Sequence, residues 1–197
     1  MEEIILFEDK KPKRMRLEKY RNWLFLGVVV LLLVAVLVYV LLTGENEGGL
    51  CINEIMLSNS GTLEVNELGT PDWVELFNSS DRDISLLGYG ISNHAKNGEL
   101  FTFPDVTIGA GQYLIVYFAG DADNSTADTL ITGFSLSKSG EKLYLSNAHK
   151  DIVDLLEVPP LDTDVSYARR SDGTFGYCTE PTPEKENSTE ILDELTN

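Results

Sequence analysis

Residues 103–117 read FPDVTIGAGQYLIVY, and this stretch decides the fold of the chain. Gly109 and Gly111 stand in its middle and could belong either to a phosphate-binding loop or to a turn. A phosphate-binding loop needs a helix N-terminus or a Lys-Ser/Thr pair directly after its glycines. After Gln112, the residues at 113–118 are instead aliphatic and aromatic, which is typical of a strand. The sequence therefore predicts a turn between two strands, in which glycine tolerates a positive φ.

Further runs of β-branched, aromatic and aliphatic residues surround this stretch, and clusters of turn-forming residues separate them. The predicted strands are Cys51–Leu57, Trp73–Phe77, Gly88–Ile91, Leu100–Phe103, Gln112–Phe118, Lys142–Leu145 and Ile152–Leu156. No part of this body has a sustained helical periodicity. Seven short strands in about 130 residues predict an all-β fold with two packed antiparallel sheets, a β-sandwich.

A long apolar segment precedes the predicted strands. Residues 23–42 contain no charged residue and no proline, and a helix of about twenty residues spans roughly 30 Å, the hydrocarbon thickness of a bilayer. A cleaved signal peptide is the alternative, but its apolar region is shorter and leads into a small-x-small cleavage site. Thr43 and Gly44 are followed here by a glutamate. We therefore expect an uncleaved, single-pass transmembrane helix at 23–42.

The flanks of this segment predict its orientation. Residues 1–22 contain seven Lys and Arg side chains, whereas residues 43–62 contain none. The positive-inside rule places the basic N-terminal side in the cytoplasm. We expect a cytoplasmic tail at 1–22, a linker at 43–50 and an extracytoplasmic domain at 51–183 in the cell membrane.

The part of the chain beyond the apolar segment is strongly acidic. Residues 44–197 contain eight basic and 27 acidic side chains, a formal charge of −19. Such a surface repels nucleic acid, so a nucleic-acid partner is excluded, and it favours cations or basic partners. A solvated acidic surface without a specific ligand is the alternative.

Several motifs occur in an order that resembles the lamin tail domain, an immunoglobulin-like β-sandwich family. They are INEIM at 52–56, DWVELFN at 72–78, FP at 103–104, IGAGQ at 108–112, VYFAG at 116–120, FSLSKSGE at 134–141, DVSYAR at 164–169 and TEPTP at 179–183. The last two look like the prokaryotic branch of the family. The resemblance implies a non-catalytic module that works by interaction and often accompanies other extracellular domains. The apolar segment stands where lamins have a heptad rod, so the resemblance indicates a membrane-anchored type and implies no filament.

Few residues have the pattern that an enzyme or a metal site requires. His94 and His149, the two histidines, stand in polar stretches without a nucleophile elbow or a metal motif, and we expect both in exposed loops. Asp121, Asp123 and Asp128 crowd one loop and are candidate calcium ligands, although the spacing does not fit an EF-hand. A solvated loop is the alternative, so we expect no cofactor, with calcium as the exception.

One residue of the predicted strand 73–77 is a candidate for ligand contact. Side chains alternate between the faces of a strand, so Val74 and Leu76 share one face and are expected in the core. Trp73 and Glu75 share the other face. Trp73 is therefore a candidate ligand-contact aromatic, and its burial under a loop is the alternative.

The ends of the predicted body carry two further features. Cys51 and Cys178 bracket the body and could form a disulfide outside the cell, with two unpaired thiols as the alternative. Residues 184–197 read as an acidic C-terminal tail. Within it, residues 188–195 could form a short docking helix, with a frayed tail as the alternative.

These features together predict a membrane-anchored, non-catalytic binding, adhesion or scaffolding module at the cell surface. Its expected partners are the membrane and an unidentified protein or cell-envelope component, contacted through outer loops or an edge strand. Two alternatives stay open. The chain could be an accessory domain of a larger surface or spore-coat-type enzyme, or a calcium-dependent adhesin that uses the loop with Asp121, Asp123 and Asp128.

Overall fold

The computed structural model describes residues 15–43, 49–66, 68–94, 100–120, 125–126 and 128–195. Side chains are described throughout these ranges except at 15–19, 37–43 and 100. The chain divides into two compact units, Met1–Asn46 and Glu47–Asn197. Residues 1–14 of the predicted basic tail and most of the predicted linker lie outside the described residues.

The described part of the first unit is one helix, α1, at Met15–Thr43. The predicted apolar segment 23–42 lies within it, and the described side chains of α1, at 20–36, are almost all exposed. Among the residues that the structure describes, no helix has both the length and the apolar character needed to cross a bilayer. The predicted membrane span is therefore not confirmed and stays a prediction.

The second unit is built from strands. In its described residues they are β1 Leu50–Met56, β2 Asp72–Asn78, β3 Ile84–Ser85, β4 Gly90–Ser92, β5 Leu100–Thr102, β6 Thr107–Ile108, β7 Tyr113–Phe118, β8 Leu130–Thr132, β9 Glu141–Ser146, β10 Ile152–Val158, β11 Ser166–Arg169 and β12 Phe175–Cys178. Six strands form one sheet in the order β12-β11-β1-β2-β7-β8, four form a second in the order β10-β9-β4-β5, and β3 pairs with β6.

The two larger sheets enclose one apolar core. The six-stranded sheet contributes residues such as Ile55, Val74 and Val116, and the four-stranded sheet contributes Ile91 and Leu143. These side chains alternate along their strands with residues of the opposite face, as predicted for Val74. The predicted β-sandwich is confirmed.

Every predicted strand has a counterpart within two residues of its expected ends. The expectation of purely antiparallel sheets is wrong at one edge, because β8 pairs parallel to β7. Parallel neighbours cannot be joined by a tight hairpin, so β7 and β8 are not a β-hairpin.

The turn predicted at the two glycines is also present. The N–H of Gln112 donates to the carbonyl of Gly109 (3.0 Å), which closes a turn between β6 and β7. Gly111 has a φ of +65°, whereas Gly109 has a negative φ. Asn78 at the end of β2 braces this turn, and its side-chain amide donates to the carbonyl of Gly109 (3.1 Å). The glycines therefore form a strand connection.

The residues after β12 form part of the packed unit, and we call residues 179–195 the C-terminal strap. The strap crosses the face of the six-stranded sheet that points away from the core, from Glu75 on β2 to Tyr177 on β12. Leu192 exchanges two backbone hydrogen bonds with Tyr177, each 2.8 Å. Neither the docking helix nor the frayed tail is present in the described residues 188–195. The predicted domain boundary at 183 thus lies inside the packed unit.

Candidate functional site

An exposed apolar row lies on β10, which is the edge strand of the four-stranded sheet. The side chains of Ile152, Val153 and Leu155 have relative exposures of 54%, 44% and 47%. Two successive residues are exposed because the register of β10 against β9 shifts between Ile152 and Asp154. Exposed apolar side chains on a sheet edge are typical of a contact surface.

Asp154 holds this strand against the other sheet. One carboxylate oxygen accepts the N–H of Ile52 (2.8 Å) and the guanidinium of Arg169 (2.6 Å). The other oxygen accepts the N–H of Leu155 (2.9 Å). The apolar row is therefore carried by a strand whose position is fixed on both sides.

A second candidate site lies under the C-terminal strap. Glu54 on β1 and Glu75 on β2 are direct partners in the strand register, and both side chains are fully buried. The ion pairs between described residues use the carboxylates of Asp81, Asp154, Glu157 and Asp193. In the described part of the chain, neither glutamate has a basic partner within ion-pair distance.

Hydrogen bonds to the strap hold both carboxyl groups. Glu54 accepts the hydroxyl of Ser166 on β11 and the N–H of Thr182 (3.1 Å) on the strap. Glu75 accepts the side-chain amide of Asn53 (2.7 Å) and the N–H of Glu184. The strap is thus attached to the sheet through these two side chains.

The surroundings of the pair favour a neutral carboxyl group. Burial raises the pKa of Glu75 to about 8, although the bonds from Asn53 and Glu184 lower it, and the charge of Glu54 raises it further. Burial also raises the pKa of Glu54, against the bonds from Ser166 and Thr182. The pair can therefore hold a proton at neutral pH. Because the strap covers both carboxyl groups, neither is accessible to a substrate in this structure.

Trp73 does not contact solvent, so the prediction of an exposed ligand-contact aromatic is wrong. The side chain is fully buried with Met56 and Ile115, and Leu63 and Tyr117 pack against this cluster. Leu63 belongs to the loop between β1 and β2, so the alternative of burial under a loop is correct. The indole Nε1 has no hydrogen-bond partner among the described residues.

The remaining candidate residues are two histidines and three aspartates. His94 and His149 are exposed, as expected for loop residues. Asp128 is also exposed, whereas Asp121 and Asp123 lie outside the described residues. No three His, Cys, Asp or Glu residues that the structure describes are grouped as a metal site. The calcium site stays a prediction.

The two cysteines are free thiols in this structure, which agrees with the alternative of two unpaired thiols. The sheet order gives the reason. Cys178 lies on β12, and β11 separates β12 from β1, where Cys51 lies. Two strand spacings amount to about 10 Å, and a disulfide requires Cα atoms within about 7 Å.

Sequence reasoning did not identify Glu54 and Glu75 as a site. The alternation in β2 placed Glu75 beside Trp73, on the face away from the core. The available signal was that Glu75 shares a strand face with a large aromatic residue, Trp73. This signal indicates a buried glutamate only if that face of the sheet is known to be covered. The covering strap lies more than a hundred residues further along the chain, at Thr182 and Glu184.

Comparison with known protein families identifies a related family. The family model described as Lamin Tail Domain matches residues 43–159, which is more than half of the chain. The matched range ends with β10, so β11, β12 and the C-terminal strap lie beyond it. No curated protein matches the chain.

Proposed function

This chain belongs to the lamin tail domain family, and on that premise we propose that it is a membrane-anchored binding or scaffolding module without catalytic activity. The family is an immunoglobulin-like, non-catalytic one. Its β-sandwich would stand outside the cell membrane, held by the apolar segment 23–42. The charge asymmetry of the two flanks supports this orientation.

The observation that supports binding is the apolar row of Ile152, Val153 and Leu155. Exposed aliphatic side chains on an edge strand lose water contact when a partner covers them, which favours association. Asp154 and Arg169 fix the strand, so little ordering would be needed on binding. We propose that this row contacts a protein or cell-envelope partner.

A photo-crosslinking amino acid at position 153 tests the contact surface in intact cells. We expect a discrete crosslinked product from this position. The matched control is Ser171, which is exposed in the turn between β11 and β12, and it should give no such product. Equal yields at both positions, or none at either, would contradict the proposed surface.

Protease treatment of intact cells tests the topology separately. We expect residues 47–197 to be removed from the outside while an N-terminal tag survives. Full resistance in intact cells, together with cleavage after lysis, would place the domain on the other side of the membrane. The crosslinking result would still report on the contact surface, so the two parts can fail independently.

A further inference from the structure

We propose that residues 181–187 of the C-terminal strap form a pH-sensitive latch, closed over the outer face of the six-stranded sheet while the Glu54–Glu75 pair holds a proton and opened when it loses that proton. This regulation concerns the domain itself and does not depend on where the membrane lies. It also concerns residues beyond the range that the family model matches.

The position of the two carboxyl groups determines how many negative charges the covered site can hold. Glu54 and Glu75 are directly opposite in neighbouring antiparallel strands, where Cβ atoms lie about 4.5 to 5.5 Å apart. Both side chains are fully buried. Two charges so close in a region of low dielectric repel each other strongly, and each also loses its hydration. The closed site therefore accommodates one ionised carboxylate far better than two.

The latch residues bind to this pair directly. The N–H of Thr182 donates to Glu54 (3.1 Å), and the N–H of Glu184 donates to Glu75. Asn53 links Glu75 to Asn187, because its side-chain amide donates to both, at 2.7 and 2.9 Å. A change of charge on Glu75 thus acts at the points where residues 181–187 are attached.

The charges of the surrounding groups decide whether a second negative charge on the pair could be compensated. The titratable side chains that interact with the pair or lie around it are Cys51 on β1, Tyr113 on β7, Cys178 on β12, and Glu180, Glu184 and Glu186 on the strap. All of these are neutral or negative. The guanidinium of Arg169 on β11 is bonded to Asp154 and to the carbonyl of Ile52. Lys185 on the strap is exposed and forms no ion pair with either glutamate. Among the described residues, a second negative charge on the pair therefore has no cation within ion-pair distance.

The far end of the strap is held differently. Leu192 and Tyr177 are joined by two backbone hydrogen bonds of 2.8 Å each, and backbone amides do not titrate in this range. Arg170 also bonds Asp193 (2.7 Å). Residues 181–187 can therefore lift while the strap stays attached on one side at Cys178 and on the other at Leu192. Opening uncovers two adjacent carboxylates on the sheet.

The direction of the pH effect follows from the two states of Glu75. In the open latch its pKa returns toward the ordinary 4.5, and in the closed latch it is about 8. Closure is therefore fully favoured below about 4.5, weakens as the pH rises, and levels off above about 8. Linkage to one proton changes the opening equilibrium about tenfold per pH unit between these limits.

Hydrogen exchange of the full-length protein between pH 5.5 and 9, expressed as protection factors, tests the latch. We expect protection at Thr182 and Glu184 to fall by up to about tenfold per pH unit and to level off above pH 8. Protection at Leu192 should stay constant. Constant protection at Thr182 and Glu184 would overturn the proposal. An equal loss at Leu192 would also overturn it, because the whole strap would then be opening.

Two substitutions sharpen the test. Glu75→Gln removes the charge, and its one side-chain oxygen keeps only one of the bonds from Asn53 and Glu184. Protection at Thr182 should therefore be independent of pH, whatever its level. Glu190→Gln removes an exposed carboxylate from the same strap, and its profile should match the wild type. If Glu75→Gln does not fold, Glu54→Gln should move the fall to lower pH. A wild-type slope in a folded Glu75→Gln or Glu54→Gln protein would overturn the proposal.

Discussion

The guanidinium of Arg169 and the carboxylate of Asp154 join the two larger sheets, with Nη2 and Oδ2 2.6 Å apart. Both groups also bind the backbone of Ile52: Asp154 accepts its N–H and Arg169 donates to its carbonyl, each at 2.8 Å. Ile52 stands where the register of β1 shifts. The ion pair therefore satisfies backbone groups that a regular strand would pair with a neighbour.

Asp154→Asn should destabilise the domain by about 2 kcal/mol, because it leaves a partly buried Arg169 without its counter-charge. The exposed pair Lys142–Glu157 (2.9 Å) supplies a matched control. Glu157→Gln should cost less than about 0.5 kcal/mol, since solvent screens that pair. Urea unfolding measures both. Equal losses of unfolding free energy in the two variants would contradict a specific role for the Arg169–Asp154 pair in joining the two sheets.

Trp73 supplies a second prediction because its ring is buried while its Nε1 has no partner among the described residues. Trp73→Phe removes the unsatisfied donor but also some packing, so we expect a change within about 1 kcal/mol. Trp73→Ala leaves a cavity and should cost about 3 to 5 kcal/mol. Thermal unfolding measures both changes. Similar large losses would indicate that Nε1 has a hydrogen-bond partner in solution.

The strands and the turn at Gly111 could be predicted because they depend on local sequence. Alternation placed Val74 in the core, and a glycine pair before an apolar run marked the turn. Local sequence does not reveal what covers the second face of a sheet. That is why the environment of Trp73 stayed open and residues 184–197 were expected to be a tail.

The candidate site was harder to predict for the same reason. Glu54 and Glu75 become partners only through the register of β1 and β2, which also includes a shift at Ile52. Their burial depends on Thr182 and Glu184, far away in the sequence. Local sequence also could not decide whether Cys51 and Cys178 pair. Their separation depends on the sheet order, in which β11 lies between β1 and β12.

Asn78 braces the turn between β6 and β7 and should be intolerant of substitution. Its side-chain amide donates to the carbonyls of Arg82 (2.7 Å), Ile108 (3.0 Å) and Gly109 (3.1 Å). Asn78→Ala should cost about 2 to 3 kcal/mol, because buried carbonyls lose their donor. Asn78→Asp should cost more, since an oxygen would then face those carbonyls. Urea unfolding of the two variants checks the order, and the reverse order would contradict this role.

Two glycines should respond differently to alanine. A Cβ at Gly176 would collide with Ile191, the carbonyl of Leu192 and Arg170, so Gly176→Ala should cost about 1 to 3 kcal/mol and increase hydrogen exchange at Leu192. A Cβ at Gly111 would have no heavy atom within 4 Å, but this residue has a φ of +65°. Gly111→Ala should cost about 1 to 2 kcal/mol through the backbone alone. Exchange at Leu192 should then be unchanged, and an increase in both variants would contradict this distinction.

Asp164 should make the loop after β1 sensitive to acid, the opposite direction from Glu75. It accepts the N–H of Ser60 (2.7 Å) and of Gly61 (3.1 Å). The bonds from Ser60, and then Gly61, hold the pKa of Asp164 below its ordinary 3.8. The stability that these bonds provide is therefore present above about pH 3.8 and is lost as the pH falls through the lower folded value.

Hydrogen exchange at Ser60 and Gly61 between pH 5 and pH 2.5 checks this effect of Asp164. Protection should fall in the wild type, whereas Asp164→Asn should have lower protection that does not vary with pH. Asparagine tolerates the φ of 59° at this position, so backbone strain does not confuse the comparison. Asp162→Asn, an exposed change in the same turn, should behave as the wild type does. A fall in protection that persists in Asp164→Asn would assign the acid sensitivity to another carboxylate.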